Sequence, residues 1–242
     1  MYRATYSGES VVTALTLEKG VWNPGTEFVP NSVFNVHSTR QAVAIGNGES
    51  REKFDLMHLK NHKGGLLGAN RLQTYGCNAL YRDFTPDFLV AVGDEIISEI
   101  ARSAYVKENI VYTHADAILE YPGKFYLIPQ NVYYNAGALA AYLACFDGHT
   151  RVYLVGYDSY DDIKAINNIY KNTRGYQAKT NPHKQTGDFW EQSLAQVMET
   201  YADVDFVRVQ PTLEWWTPDL WKSYSNFRQM TYENFIIEAD LG

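Results

Sequence analysis

Between Gln41 and Val209, short apolar runs alternate with stretches whose apolar positions recur every three or four residues. Ala42-Val43-Ala44-Ile45, Thr74-Tyr75-Gly76-Cys77, Phe88-Leu89-Val90-Ala91-Val92, Ile110-Val111-Tyr112, Phe125-Tyr126-Leu127-Ile128, Val152-Tyr153-Leu154-Val155 and the run from Val204 to Val209 read as strands, with Leu66-Leu67 a further short one. The runs do not alternate with polar positions, which is the pattern of strands covered on both faces. Phe54, Leu56, Met57 and Leu59 predict a short helix, and Ile96, Ile97 and Ile100 another. Asn135 to Phe146 predicts an alanine- and leucine-rich helix, and Asp188 to Tyr201 a long one with Leu194, Val197 and Met198 inward. Strands and helices in this alternation predict an α/β fold, a mostly parallel twisted sheet with helices on both faces. Ligands of such sheets bind beyond the C-terminal strand ends. Gly46–Ser50, Gly76–Asn78 and Gly156–Tyr160 each follow a predicted strand, so the sequence predicts that they converge. Residues 1–40 read as an irregular extension packed on the core, wrapping it or forming an edge hairpin, with turn signals at Trp22-Asn23-Pro24-Gly25 and Pro30-Asn31.

Composition narrows the classes of function. The chain has 242 residues, 45% of them apolar and 20% charged, which is globular composition. A formal charge of −7 argues against a broad nucleic-acid surface while leaving room for a local basic patch. Two cysteines, Cys77 and Cys145, are too few for a disulfide framework. The longest apolar stretch, Ala136 to Phe146, is about half of what a bilayer requires, and the first residues lack a basic-then-apolar leader pattern. These features predict a soluble, cytoplasmic protein without a membrane span. Nineteen tyrosines point to a site that meets polar ligands with rings and hydroxyls.

Gly46-Asn47-Gly48-Glu49-Ser50 reads either as a turn whose N–H groups suit a phosphate or as a strand-to-helix turn with Ser50 as the cap. No Gly-Lys-Ser/Thr follows it, and it does not match GxGxxG. Asn78 reads as a helix cap or as a ligand for a hydroxyl or phosphate. Asn135 and the amides near Gly137 open a helix and read as an anion site or as an N-cap. Gly156-Tyr157-Asp158-Ser159-Tyr160-Asp161-Asp162 places phenols and carboxylates after a strand, without the ligand spacing of a calcium loop. His183 lies in a loop before the long helix. Neither cysteine has thiol-site surroundings, and no zinc spacing is present.

Taken in order, these segments resemble the Campylobacter-type bacterial sialyltransferases, glycosyltransferase family 42. That family's Gly-Asn-Gly-Pro-Ser turn is similar to Gly46-Asn47-Gly48-Glu49-Ser50, and its following basic step to Arg51 through Asp55. Its Arg-Cys-Asn-Gln-Phe-Tyr strand end looks like Gly76-Cys77-Asn78-Ala79-Leu80-Tyr81. Its Ser-Ser-Gly-Val-Tyr helix start resembles Asn135-Ala136-Gly137-Ala138-Leu139. Its Ile-Tyr-Leu-Ser-Gly-Ile-Asp-Phe-Tyr is similar to the run from Val152 to Tyr160, and a downstream loop histidine to His183. The resemblance implies a Rossmann-like, GT-A-variant sheet spanning 41–242 that binds a nucleotide sugar, with a lid at about 159–187. It implies a metal-independent inverting transfer that uses no cofactor. His183 would be the general base. Tyr160, with Tyr157, Tyr170 or Tyr176, would stabilise the leaving phosphate. Gly46, Asn47, Gly48, Ser50, Asn78, Asn135, Gly137, Gly156 and Asp158 would hold the nucleotide and donor. The acceptor would be a glycan or another hydroxyl, and the assembly a homo-oligomer. Glu49 in place of the family's proline, and Asn135-Ala136 in place of its serines, separate donor identity from nucleotide binding. An insertion before Asn78 makes Asn70 a rival for its role.

The Gly-Asn-Gly turn and the glycine-aspartate strand end also resemble the MptE-like pterin diphosphokinases, which would need magnesium on Asp158, Asp94 or Asp161. A binding module without turnover is a third reading. A hydroxymethylated nucleic-acid acceptor would need a cationic groove, for which Arg71, Arg82, Lys171, Arg174, Lys179 and Lys184 are the candidates, with Tyr170 and Tyr176 available to stack. Trp215, Trp216 and Trp221 read as core packing, an acceptor platform or an oligomer contact.

Overall fold

The apolar runs become the inner strands of one parallel sheet. The computed structural model describes residues 2–7, 10–18, 21–24, 40–60, 72–159, 168–176 and 184–242. The strands are β1 (Tyr2–Ser7), β2 (Ser10–Glu18), β3 (Val21–Pro24), β4 (Gln41–Ile45), β5 (Gln73–Cys77), β6 (Phe88–Val90), β7 (Ile110–Thr113), β8 (Tyr126–Leu127), β9 (Arg151–Val155), β10 (Asp205–Gln210) and β11 (Phe227–Thr231). The helices are α1 (Met57–Lys60), α2 (Asp94–Arg102), α3 (Tyr105–Glu108), α4 (Ala115–Glu120), α5 (Ala136–Phe146), α6 (Lys184–Thr200), α7 (Asp219–Lys222) and α8 (Tyr232–Glu238).

The larger sheet has eight strands in the order β11-β10-β9-β4-β5-β6-β7-β8, and every neighbouring pair is parallel. From β4 the chain winds outward to β8, returns through α5 to β9 on the other side of β4, and winds outward again to β11. The α/β class expected from the sequence is therefore found, as a doubly wound sheet whose switch point lies between β4 and β9.

Side chains alternate between the two faces of the sheet. Val43, Ile45, Tyr153, Val155, Val207 and Val209 pack with Leu59 of α1, Ile96, Ile97 and Ile100 of α2, Ile118 of α4 and Phe235 of α8. Ala42, Ala44, Val152, Leu154 and Phe206 pack with α5, with Leu194, Val197 and Met198 of α6, and with Trp221 of α7. The small side chains of Ala42 and Ala44 meet Ala138, Ala140, Ala141 and Ala144, so α5 approaches the sheet closely. Its residues from Ala138 to Cys145 are buried all round, which is why its sequence is not amphipathic.

Residues 2–24 depart from the irregular extension expected of them. Their three strands form a separate antiparallel sheet in the order β1-β2-β3. The physical reason is β-propensity: Tyr2, Thr5, Tyr6, Val11, Val12, Thr13 and Thr16 are β-branched or aromatic, and glycines at 8 and 20 punctuate the runs. The pattern also left β11, α3, α4, α7 and α8 unread. The expected strand at Leu66-Leu67 lies outside the described residues.

Candidate functional site at the sheet switch point

Gly46, Asn47 and Gly48 leave the end of β4, and Gly156, Tyr157 and Asp158 leave the end of β9 beside it. The two exits stay paired. The Gly46 N–H donates to the Val155 carbonyl at 2.8 Å and the Gly48 N–H to the Gly156 carbonyl at 2.9 Å. The Ser50 N–H donates to Asp158 Oδ2 at 2.8 Å. A Cβ on Gly46 would lie 2.4 Å from the Gly156 oxygen, and one on Gly48 would lie 2.6 Å from the Asp158 carboxylate. Gly156 has φ +74°, in the left-handed region. The glycines thus serve the packing of two turns on each other.

The Gly46, Gly48 and Ser50 N–H groups are thus engaged in joining β4 to β9. Ser50 is not a helix cap. The 3₁₀ turn Glu49–Lys53 begins after Gly48 with no side-chain cap, and the Ser50 carbonyl accepts from the Tyr232 hydroxyl at 2.9 Å.

Side chains supply the remaining polar groups. Asn47 is 8% exposed; its Nδ2 donates to the Cys77 carbonyl at 3.1 Å, and its Oδ1 is buried without a partner among the described residues. Asn78 has φ +48°, and its Oδ1 accepts from the Val92 N–H at 2.9 Å. It latches the exit of β5 to that of β6 and does not cap a helix. The Tyr176 hydroxyl is pushed up to about 12 by burial, with Cys77 adding to the rise, while the Ala79 backbone, Asn78 and Asn47 pull it partly back.

Residues 168–176 cross the β4 turn. Asn168 bridges Gly48, and the Ile169 N–H donates to the Asn47 carbonyl at 3.0 Å. Arg51 is 3% exposed; its Nη2 donates to the Tyr170 hydroxyl at 3.0 Å, and Nη1 has no partner among the described residues. Tyr170 in turn donates to Asp83 at 2.6 Å, so it is a buried link and not a stacking platform. Of the cationic-groove candidates, Arg82 forms a two-pronged pair with Glu99 at 2.8 and 2.7 Å, and Lys171 meets Glu49 at 2.9 Å. Arg174 stands 4.0 Å from Glu99. Arg71 and Lys179 lie outside the described residues.

Asn135 caps α5: its Oδ1 accepts from the Ala138 N–H at 3.1 Å and its Nδ2 reaches the Trp190 carbonyl of α6 at 3.3 Å. The Tyr157 hydroxyl donates to the Gly137 carbonyl at 2.7 Å, and burial pushes its pKa well up. Ser159 donates to Glu191 of α6 at 2.5 Å. The exits of β4, β5 and β9 and the start of α5 are thereby joined into one unit. His183, Tyr160, Asn70, Asp161 and Asp162 lie outside the described residues.

Arg208 and Tyr232 belong to this neighbourhood and carried no motif. The one signal for Arg208 was its position in Phe206-Val207-Arg208-Val209, an arginine inside a strand buried on both faces. It is 1% exposed. Burial lowers its pKa to about 10, while nearby Asp158 and Tyr232 raise it. Burial pushes the Cys77 thiol up to about 12 and Cys145 well up, so neither is poised as a thiolate. Among the described residues, no three His, Cys, Asp or Glu side chains gather as a metal site, and no helix is long and apolar enough to cross a membrane.

No family model and no curated protein matches the chain. Two solved structures are similar at low identity. One is the sialyltransferase CstII from Campylobacter jejuni in complex with a substrate analogue, cytidine-5'-monophosphate, at 13% identity over 71% of this chain and 80% of that one, with a TM-score of 0.42. The other is the sialyltransferase CST-II with an asparagine-to-alanine substitution, in complex with CMP, at 12% identity over 84% of this chain and 99% of that one, with a TM-score of 0.46.

Proposed function

We propose that the chain is a glycosyltransferase that binds a nucleotide-sugar donor at the switch point between β4 and β9 and passes the sugar to an acceptor hydroxyl. One observation carries this reading: the four segments whose sequences resemble family 42 transferases are tied together by direct hydrogen bonds. These run from Asn47 to Cys77, Gly48 to Gly156, Ser50 to Asp158 and Tyr157 to Gly137. Crevices at switch points of doubly wound sheets are the usual place for nucleotides, and the unpartnered Asn47 Oδ1 would accept from a ribose hydroxyl or a base amino group.

In this reading His183 removes the acceptor proton, and Tyr160 donates to the leaving phosphate. Asp158 fixes the β4 turn through the Ser50 N–H. His183 directly precedes Lys184, the first residue of α6. Trp190 and Glu191 of that helix contact Asn135 and Ser159. At 1.5 Å per residue, Lys184 is about 10 Å along the axis from those contacts, a spacing that supports a catalytic loop ending there. The sugar, the nucleotide base and the acceptor follow from experiment.

The test is a thermal-shift panel with CMP, UDP, GDP, ADP and ATP, each with and without magnesium. A nucleotide at a hundred times its Kd adds about 2.7 kcal/mol. A magnesium-independent shift with CMP, UDP or GDP is expected. A shift with magnesium and ATP alone overturns the transferase reading in favour of diphosphate transfer.

A further inference from the structure

We propose that Arg208 of β10 recognises an oxyanion, a phosphate or a carboxylate, of the ligand bound at the switch point. The proposal rests on the reading of that crevice as the ligand site. Arg208 stands in register with Leu154 of β9, two residues before Gly156. Its Nη1 donates to the Trp216 carbonyl at 2.8 Å and to the Thr217 hydroxyl. Its guanidinium lies 5.6 Å over the Trp221 ring. These contacts fix the plane of the fork and leave Nη2 buried with no partner among the described residues.

Asp158 raises the Arg208 pKa, yet its Oδ2 is held by the Ser50 N–H and its Oδ1 is also buried without a partner among the described residues. An unpaired acceptor and an unpaired guanidinium donor thus belong to the same neighbourhood and do not meet. A ligand with an oxyanion for Nη2 and an adjoining hydroxyl for Oδ1 would satisfy both. A purely structural role would not need a charge here. A buried guanidinium with no directly bonded counterion among the described residues is costly, whereas a neutral amide, of the kind Gln210 and Gln229 supply next door at 2.7 Å, would hold the same loop. A fixed planar fork in a dry site suits phosphate or carboxylate, and lysine could not reproduce it.

The probes are sodium phosphate and sodium acetate, titrated against sodium chloride at matched ionic strength, with the urea midpoint of the full chain as readout. An anion at ten times its Kd shifts the unfolding equilibrium about elevenfold. Phosphate also stabilises folded proteins generally, so the measured quantity is the saturable difference between wild type and Arg208→Met. The expected result is a saturable rise in wild type, absent in Arg208→Met, whose midpoint in chloride is equal to or above that of wild type. Arg208→Lys keeps the charge and serves if the methionine variant fails to fold; it should bind roughly tenfold more weakly. A rise with phosphate alone identifies a phosphate group, and one with acetate a carboxylate. The proposal is overturned if neither anion gives a saturable rise in wild type, or if the variants respond as wild type does. A drop for Arg208→Met of equal size with and without anion also overturns it. The titration contains no nucleotide, so its failure is separable from that of the nucleotide panel.

Discussion

Asp147→Asn should remove a pH dependence of stability that the wild type carries. Asp147 follows α5, at the opposite end from Asn135. Its Oδ2 accepts from the Tyr75 hydroxyl of β5 at 2.7 Å, and that hydroxyl also lies 3.1 Å from His149 Nε2. Cys145 packs nearby, while Tyr112 and Asp87 face Tyr75. Burial raises the Asp147 carboxyl from 3.8 to about 7, partly offset by the Tyr75 hydrogen bond. The folded chain therefore keeps a proton that the unfolded chain releases. With a raised folded-state pKa, the stability contribution is complete below about pH 4 and is lost as pH climbs through 7. Each pH unit in that window removes about 1.4 kcal/mol. Between pH 5 and pH 8 the slope is full for about two units and then flattens, giving a loss of about 2–3 kcal/mol. Asparagine retains a carbonyl to accept from Tyr75 and does not titrate. Urea unfolding of both proteins at pH 5, 6, 7 and 8 cancels every other titration in the difference. The stability of Asp147→Asn relative to wild type should rise by about 2–3 kcal/mol across that range, or about 5–10 °C in Tm for a chain of this size. Parallel profiles would refute the reasoning, because they would mean that Asp147 is ionised in the folded state or relieved by a partner charge.

Gly48→Ala would drive a Cβ to 2.6 Å from the Asp158 carboxylate and 2.8 Å from the Gly156 carbonyl; thermal unfolding should show a loss of about 1–3 kcal/mol, the usual range for overpacking, and an unchanged Tm would mean that the β4 and β9 exits are not packed as described. If His183 is the general base, His183→Ala should lower transfer by about 10²- to 10⁴-fold while nucleotide affinity, read by calorimetry, stays within about twofold; equal losses in both would assign His183 to binding instead.

The sheet was legible because its strands are short continuous apolar runs, and such runs fit a sheet buried on both faces. What the sequence hides is the identity of neighbours. The Gly-Asn-Gly turn looks the same whether its amides face a ligand or the adjacent strand, and only the position of β9 beside β4 decides between them. Asn135 and Asn78 illustrate the same limit. Both are asparagines at strand or helix boundaries, yet one caps its own helix while the other reaches fourteen residues along the chain to the Val92 N–H. Strand β11 stayed unread because Phe227-Arg228-Gln229-Met230-Thr231 is an edge strand whose residues are mostly half-buried. Without an apolar run, its pairing with β10 has no local signature.

The arrangement of the switch point also constrains how an anionic ligand is held. A chain with a formal charge of −7 does not attract nucleotides from a distance, and the backbone amides that often receive phosphate are engaged in joining β4 to β9. In the proposed function, recognition falls to buried side chains: Asn47, Arg51 and Arg208, each with a polar atom unpartnered among the described residues. In a medium of low effective dielectric, each such donor or acceptor interacts more strongly than it would at the surface. It also needs little reorganisation on binding, because Tyr170, Trp216, Thr217 and the Cys77 carbonyl already fix its direction. The tight glycine packing of the two strand exits is what brings these groups from β4, β9 and β10 together, so the same contacts that close the sheet at its centre also preorganise the site.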